Sequence, residues 1–150
     1  MTRACSERDL GWLEGIIDGE GCLGLYSSPV SGKNGPRRRW LPLLTITNTN
    51  RAIIDRAKGI VGAGSVYRRK GVSERDKPFF HYAIGANGLR SILPVLRLTA
   101  KEQQRLLLLE ALALSNGKTH NRYNGCPYDP RLREIEAKTH ALNRRGREDP

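Results

Sequence analysis

Cysteine, acidic residues and long apolar stretches are scarce in this chain, and each shortage excludes something. Cys5, Cys22 and Cys126 are an odd number of cysteines without C-x-x-C spacing. Neither a disulfide framework nor a cysteine-based zinc site is expected, and a reducing interior is the fitting compartment. No stretch approaches the roughly 20 consecutive apolar residues of a membrane span. The opening run Met1-Thr-Arg-Ala-Cys-Ser-Glu-Arg-Asp9 has no apolar core of signal-peptide type, and its acids argue against a transit peptide. The expected location is therefore intracellular and soluble, in cytoplasm or nucleoid, or in an organelle if the chain is organelle-encoded. Long linkers, low-complexity segments and a second copy of the first helix are also missing. One domain over residues 1–150 is expected, with a core over about 6–115 and a basic helical extension over about 116–150.

The shortage of acid is the informative one. Asp and Glu number 15 against 26 Lys and Arg, a formal charge of +11. Such an excess is either held apart by solvent or met by a polyanion, and nucleic acid is the commonest such partner. A ribosomal or packaging protein, or charge carried only for solubility, would have the same balance.

Periodicity supplies the elements. Ser6 followed by Asp9 resembles a capping box with Asp in the place of Glu or Gln, and apolar residues from Leu10 to Ile17 predict a helix over 7–20. Period-two alternation from Leu23 to Tyr26, a Gly/Pro/Ser-rich stretch at 27–36 and renewed alternation over 37–49 predict a long hairpin. Ile53, Ile54, Ala57, Ile60 and Val61 have helical spacing and stop at Gly62-Ala-Gly64. Residues 65–69 and 79–84 read as a second strand pair. A short helix near 87–96, interrupted by Pro94, a longer one over 101–114, a loop or arm over 115–128 and a basic helix from Asp129-Pro-Arg131 to about Asn143 follow. Together these predict an α+β fold, αββαββα, with helices on one face of a four-stranded antiparallel sheet and the other face free to bind.

The first helix is chemically odd. Gly11, Gly15 and Gly19 recur every fourth residue, although each interior glycine costs ~1 kcal/mol relative to alanine. They form one stripe flanked by Trp12 and Ile16, with Leu13 and Ile17 beyond, so most of the circumference is expected to be buried. The stripe admits two readings: a tight crossing within the chain, or a helix-on-helix contact between two copies about a twofold axis. Asp18 and Glu20, two residues apart, point to nearly opposite sides of a helix and cannot both ligate one ion. Asp18 is placed to satisfy donors at the helix contact. Glu20, in the last turn, either projects past the helix end toward the open sheet face or is an ordinary exposed charge.

The run Leu13-Glu-Gly-Ile-Ile-Asp-Gly-Glu-Gly21 resembles the motif Leu-Ala-Gly-Leu-Ile-Asp-Ala-Asp-Gly of the LAGLIDADG homing endonucleases. It matches at Leu13, Gly15, Ile17, Asp18 and Gly21, with conservative changes at Ile16, Gly19 and Glu20, and with Glu14 in place of a small residue. Ile46-Thr-Asn-Thr-Asn-Arg51 and Ala100-Lys-Glu102 also resemble segments of the single-motif members, so the likeness covers about the first 115 residues.

The resemblance implies a homodimer that cuts double-stranded DNA at a long pseudo-palindromic site with 3′ overhangs, as intron- or intein-associated enzymes do. It implies Gly11, Trp12, Gly15, Asp18 and Gly19 at the dimer contact, and Mg²⁺ held by the Glu20 carboxylate and the Gly19 carbonyl. Mn²⁺ would substitute, and Ca²⁺ would support binding without cleavage. Lys101 would stand near the attacking water, or else be a solvated surface charge, and Asn48 would help hold the water network.

Strand parity turns Leu23, Leu25, Trp40, Leu44 and Ile46 toward the core. It leaves Gly24, Tyr26, Ser28, Arg37, Arg39, Thr45, Tyr67 and Arg69 on the DNA side, with Arg38, Arg51, Lys70, Arg75 and Lys77 nearby. An RNA-binding splicing maturase and a non-catalytic DNA-binding regulator are the rival readings of the same scaffold.

Overall fold

The computed structural model describes residues 5–30, 37–71, 73–115, 126–127 and 129–144. Helix α1 (Glu7–Glu20) runs straight into strand β1 (Gly21–Val30), which pairs with β2 (Arg37–Asn48). Helix α2 (Arg51–Val61) leads into the second hairpin, β3 (Ser65–Arg69) and β4 (Phe79–Ile84). Helix α3 (Ala86–Ile92), a 3₁₀ turn (Leu93–Val95), helix α4 (Glu102–Leu114), strand β5 (Cys126–Pro127) and helix α5 (Pro130–Arg144) follow. The sheet is antiparallel in the order β1-β2-β4-β3.

One expectation needs correcting. Cys126–Pro127, expected within a loop or arm, forms β5 against Arg37 and Arg38. β2 runs well past its pairing with β4, which covers Leu44 to Asn48, and β5 continues the ladder on that side of the strand's first residues. Residues 116–125 and 128 lie outside the described residues.

Local chemistry sets the element ends. The Ser6 hydroxyl accepts the Asp9 N–H at 3.1 Å and donates to the Asp9 carboxylate at 2.9 Å; here the acid returns to the hydroxyl rather than to the Ser6 N–H. The Asn50 side chain accepts the Ala52 N–H at 3.0 Å and caps α2. Gly62, at φ 76°, closes that helix by donating its N–H to the Lys58 carbonyl. At the α1–β1 junction, a Cβ on Gly21 would lie 2.8 Å from the Ile17 carbonyl oxygen, so only glycine lets the strand leave the helix so tightly.

Helices α1 to α4 bury against one sheet face, and α5 joins the same core from the β1 edge. Leu13 and Ile17 of α1 meet Leu23, Leu25, Leu44, Ile46, Tyr82 and Ile84 of the sheet, with Ile54, Leu89, Leu108, Leu132 and Ile135 from the later helices. Each such side chain contributes about 1.5–3 kcal/mol. Trp40 packs on this core half-buried. Helix α5 lies along the outer edge of β1. Thr139 Oγ1 accepts the Leu25 N–H at 3.2 Å, and one turn later Asn143 donates to the Leu23 carbonyl at 2.9 Å. Side chains of α5 thus pair an edge that would otherwise show unpaired backbone groups. Among the described residues no helix is long and apolar enough to cross a membrane.

Candidate active site and nucleic-acid interface

The end of α1 carries the two acids in opposite directions. Glu20 is exposed, and its Oε2 accepts a hydrogen bond from Asn48 Nδ2 at 2.6 Å. The Asn48 side-chain oxygen, Oδ1, accepts the Asn50 N–H at 2.7 Å, which fixes the amide so that its NH₂ faces the carboxylate. Two residues singled out separately in the sequence are therefore in direct contact.

Asp18 faces α4. Its carboxylate accepts the backbone N–H groups of Thr99, Ala100 and Lys101 at 2.9, 3.0 and 3.1 Å. In return, Lys101 Nζ donates to the carbonyls of Ile17 and Asp18, both at 2.8 Å. An anion thus sits at the start of α4 and a cation at the end of α1, each satisfying backbone groups that a helix end leaves unpaired. Lys101 is half-buried rather than solvated on the surface, and burial is the main cause holding its pKa below the ordinary 10.5, against the opposing pull of Asp18. An ammonium has three donors, and two are committed here.

The glycine stripe separates its two readings. Gly11, Gly15 and Gly19 are exposed, and a Cβ built on any of them meets nothing within 4 Å. Among the described residues the stripe therefore makes no tight crossing within the chain. The expected burial of most of the helix is corrected too: only Leu13 and Ile17 are buried, because the glycines and Glu20 face solvent. Trp12 packs toward α2, its ring 4.3 Å from the Arg56 guanidinium, while Arg56 also reaches Asp9 at 3.4 Å.

On the sheet, Leu23, Leu25, Leu44 and Ile46 face the helices, as parity requires. The opposite face carries Tyr26, Ser28, Arg37, Arg39, Thr45, Tyr67 and Arg69, joined by Leu41, Thr47 and His81, which the sequence reading did not single out. Alternation in Phe79-Phe-His-Tyr-Ala-Ile84 was the available signal: Tyr82 and Ile84 are buried, so His81 points the other way.

Gly24 shares that face but is buried beneath the Tyr26 ring, so Tyr26 presents the surface there. The Tyr26 ring lies 5.1 Å from His140 of α5, and burial, then Cys22, raises its phenol to about 12. Arg38 turns to the Ser27 hydroxyl at 2.9 Å. Arg51 opens α2 over the Phe80 ring, at 5.5 Å, and pairs with Asp55 at 3.4 Å. Lys70, Arg75 and Lys77 are exposed at the β3–β4 end. Residues 37–48 and 65–84 hold eight basic side chains against two acidic ones, so the positive charge is concentrated on the sheet and its loops.

Among the described residues no three of His, Cys, Asp and Glu cluster as metal ligands, so an all-protein zinc cage is not what the site offers. It offers hard oxygen: the exposed Glu20 carboxylate and the last-turn carbonyls, of which Lys101 takes those of Ile17 and Asp18. That donor set fits Mg²⁺, which binds through one or two carboxylates together with waters and phosphate oxygens.

No protein-family model and no curated protein matches the sequence. Among solved structures, the chain is similar to the homing endonuclease I-CvuI in complex with a DNA target, with TM-score 0.59 and 22% identity over 91% of this chain and 85% of that one. It is also similar to the group I intron-encoded homing endonuclease I-CeuI complexed with DNA, with TM-score 0.61 and 15% identity over 76% and 58%. A third similar structure is the LAGLIDADG meganuclease I-CpaMI bound to uncleaved DNA, with TM-score 0.60 and 18% identity over 91% and 50%. This chain therefore spans little more than half of I-CeuI and half of I-CpaMI. The I-CvuI complexes were obtained with Mg or with Ca. At these identities the likeness defines the fold.

Proposed function

From a chain that has the fold of the LAGLIDADG homing endonucleases, we propose a sequence-specific endonuclease that cuts double-stranded DNA as a homodimer. It hydrolyses one phosphodiester in each strand of a long pseudo-palindromic site and leaves 3′ overhangs, in the manner of intron- or intein-associated mobile elements. The observation that carries this reading is the exposed Glu20 carboxylate, oriented by Asn48 at 2.6 Å, on a helix end beside a basic sheet face. A protein that only binds a polyanion gains nothing from fixing a carboxylate there, because it would repel phosphate.

Glu20 and the Gly19 carbonyl would hold Mg²⁺, with Mn²⁺ as a substitute and Ca²⁺ supporting binding alone; the bound ion would polarise the phosphate and acidify a water. Asn48 keeps Glu20 in one orientation and belongs to the polar network around the reacting water. Lys101 holds the helix end rigid through two carbonyls and has one donor left for an oxygen of the substrate or the attacking water. The open face reads the duplex, with arginines suited to guanine edges and the loop cations Lys70, Arg75 and Lys77 suited to phosphates.

The homodimer reading rests on two supports. One motif supplies one centre, whereas a duplex has two strands to cut. The glycine stripe is exposed and meets nothing among the described residues that would offset its cost in helix stability, and a second copy of α1 laid against it gives it a use. Two identical subunits then call for two matching half-sites.

Selection from randomised duplex DNA in Ca²⁺, followed by Mg²⁺ and sequencing of both ends, tests the proposal. A near-palindromic site cut on both strands is expected. A site bound but never cut supports a regulator instead, and failure to select any duplex turns attention to structured RNA.

A further inference from the structure

His81 stands on the open sheet face in a strand flanked on both sides. β4 lies between β2 and β3, and the imidazole rises from the sheet interior rather than from its rim. Across the register Thr47 is its β2 partner and Tyr67 its β3 partner. Thr47 Oγ1 and His81 Nδ1 are 3.0 Å apart, so one ring nitrogen is committed within the protein and only Nε2 remains for a ligand. Tyr67, 53% exposed, stands beside the ring. Burial and the Arg69 guanidinium hold the imidazole pKa below its ordinary 6.5, which leaves the ring neutral near pH 7.

We propose that His81, oriented by Thr47, is a specificity-determining residue that reads a base edge in the major groove through Nε2; this rests on the DNA-cutting function proposed above. A rim cation holds phosphate whatever the sequence, whereas a neutral donor or acceptor at the centre of the face has only base edges to match. The Thr47 hydroxyl sets which it is. When the hydroxyl donates to Nδ1, Nε2 carries the proton and suits a purine N7, guanine O6 or thymine O4. When Nδ1–H donates to the hydroxyl, Nε2 accepts and suits the amino group of adenine or cytosine. Thr47 immediately precedes Asn48, which touches Glu20, so the base pair read lies in the inner part of each half-site.

Binding selections in Ca²⁺ with wild type, His81→Ala, His81→Phe and Thr47→Val test this, with positional preference in the recovered sites as the readout. His81→Phe keeps the ring volume in case the smaller residue loosens the strand. Wild type should show a preference at one inner base pair, repeated symmetrically, that both His81 variants reduce by about five- to tenfold and Thr47→Val reduces in part. The slope of affinity against salt should be retained, because no cation is removed. If wild type selects a site and both His81 variants keep its full profile, or lose affinity equally at all sequences, the assignment is overturned and the endonuclease reading stands. If wild type selects no duplex at all, the assignment falls together with the reading beneath it.

Discussion

Replacing Gly15 by alanine puts the two readings of α1 on opposite signs. In the single chain an added Cβ meets nothing within 4 Å among the described residues, and alanine is favoured over glycine in a helix interior by ~1 kcal/mol. A monomer should therefore gain that amount, which raises the unfolding midpoint by roughly 2–4 °C for a domain of this size. If two α1 helices meet along the glycine stripe, the same methyl enters a close backbone contact twice, once from each copy. Overpacking of that kind costs about 1–3 kcal/mol per site, enough to outweigh the gain in propensity and weaken dimerisation about tenfold or more. The assay is thermal unfolding at two protein concentrations, paired with sedimentation. The dimer account expects a lower midpoint, a steeper dependence on concentration and a shift toward monomer. A variant that is more stable, insensitive to concentration and still cuts DNA would refute it.

Three further outcomes follow from contacts already described. Asp18→Asn replaces the anion that accepts three N–H groups at the start of α4 and should cost about 1–2 kcal/mol in denaturant titrations. Thr139→Val leaves the buried Leu25 N–H without its acceptor and should cost about 1–3 kcal/mol, with aggregation promoted as the β1 edge opens. The depressed pKa of His81 contributes stability that is complete above its ordinary value of 6.5 and is lost as pH falls through the folded value. His81→Phe should therefore flatten the acid-side decline of the unfolding midpoint.

Much of this was written in local sequence. Helix α1 and helix α2 are bounded by cap residues, Ser6 and Asn50 at their starts and Gly62 at one end, and such signals need no knowledge of the rest of the chain. Strand parity survived for the same reason: Leu23, Leu25, Leu44 and Ile46 mark one face without ambiguity. Contacts between distant residues were harder to read. Asp18 and Lys101 lie 83 residues apart, and nothing in either local run reveals that each caps the other's helix. Thr139 and Asn143 look like ordinary polar positions until β1 is seen beside them with an unpaired edge. The glycine stripe was legible as a surface for close approach, but whether it faces inward depends on the packing of Leu13 and Ile17. His81 escaped notice because its strand is mostly apolar, which hid the alternation.

The most direct test of the central claim compares wild type with Glu20→Gln on the selected DNA site, measuring affinity in Ca²⁺ and single-turnover cleavage of each strand in Mg²⁺. The amide keeps the shape and can still meet Asn48 but removes the charge. The account predicts cleavage lost on both strands with affinity retained. Cleavage at the wild-type rate, or loss of binding in step with loss of cutting, would contradict it.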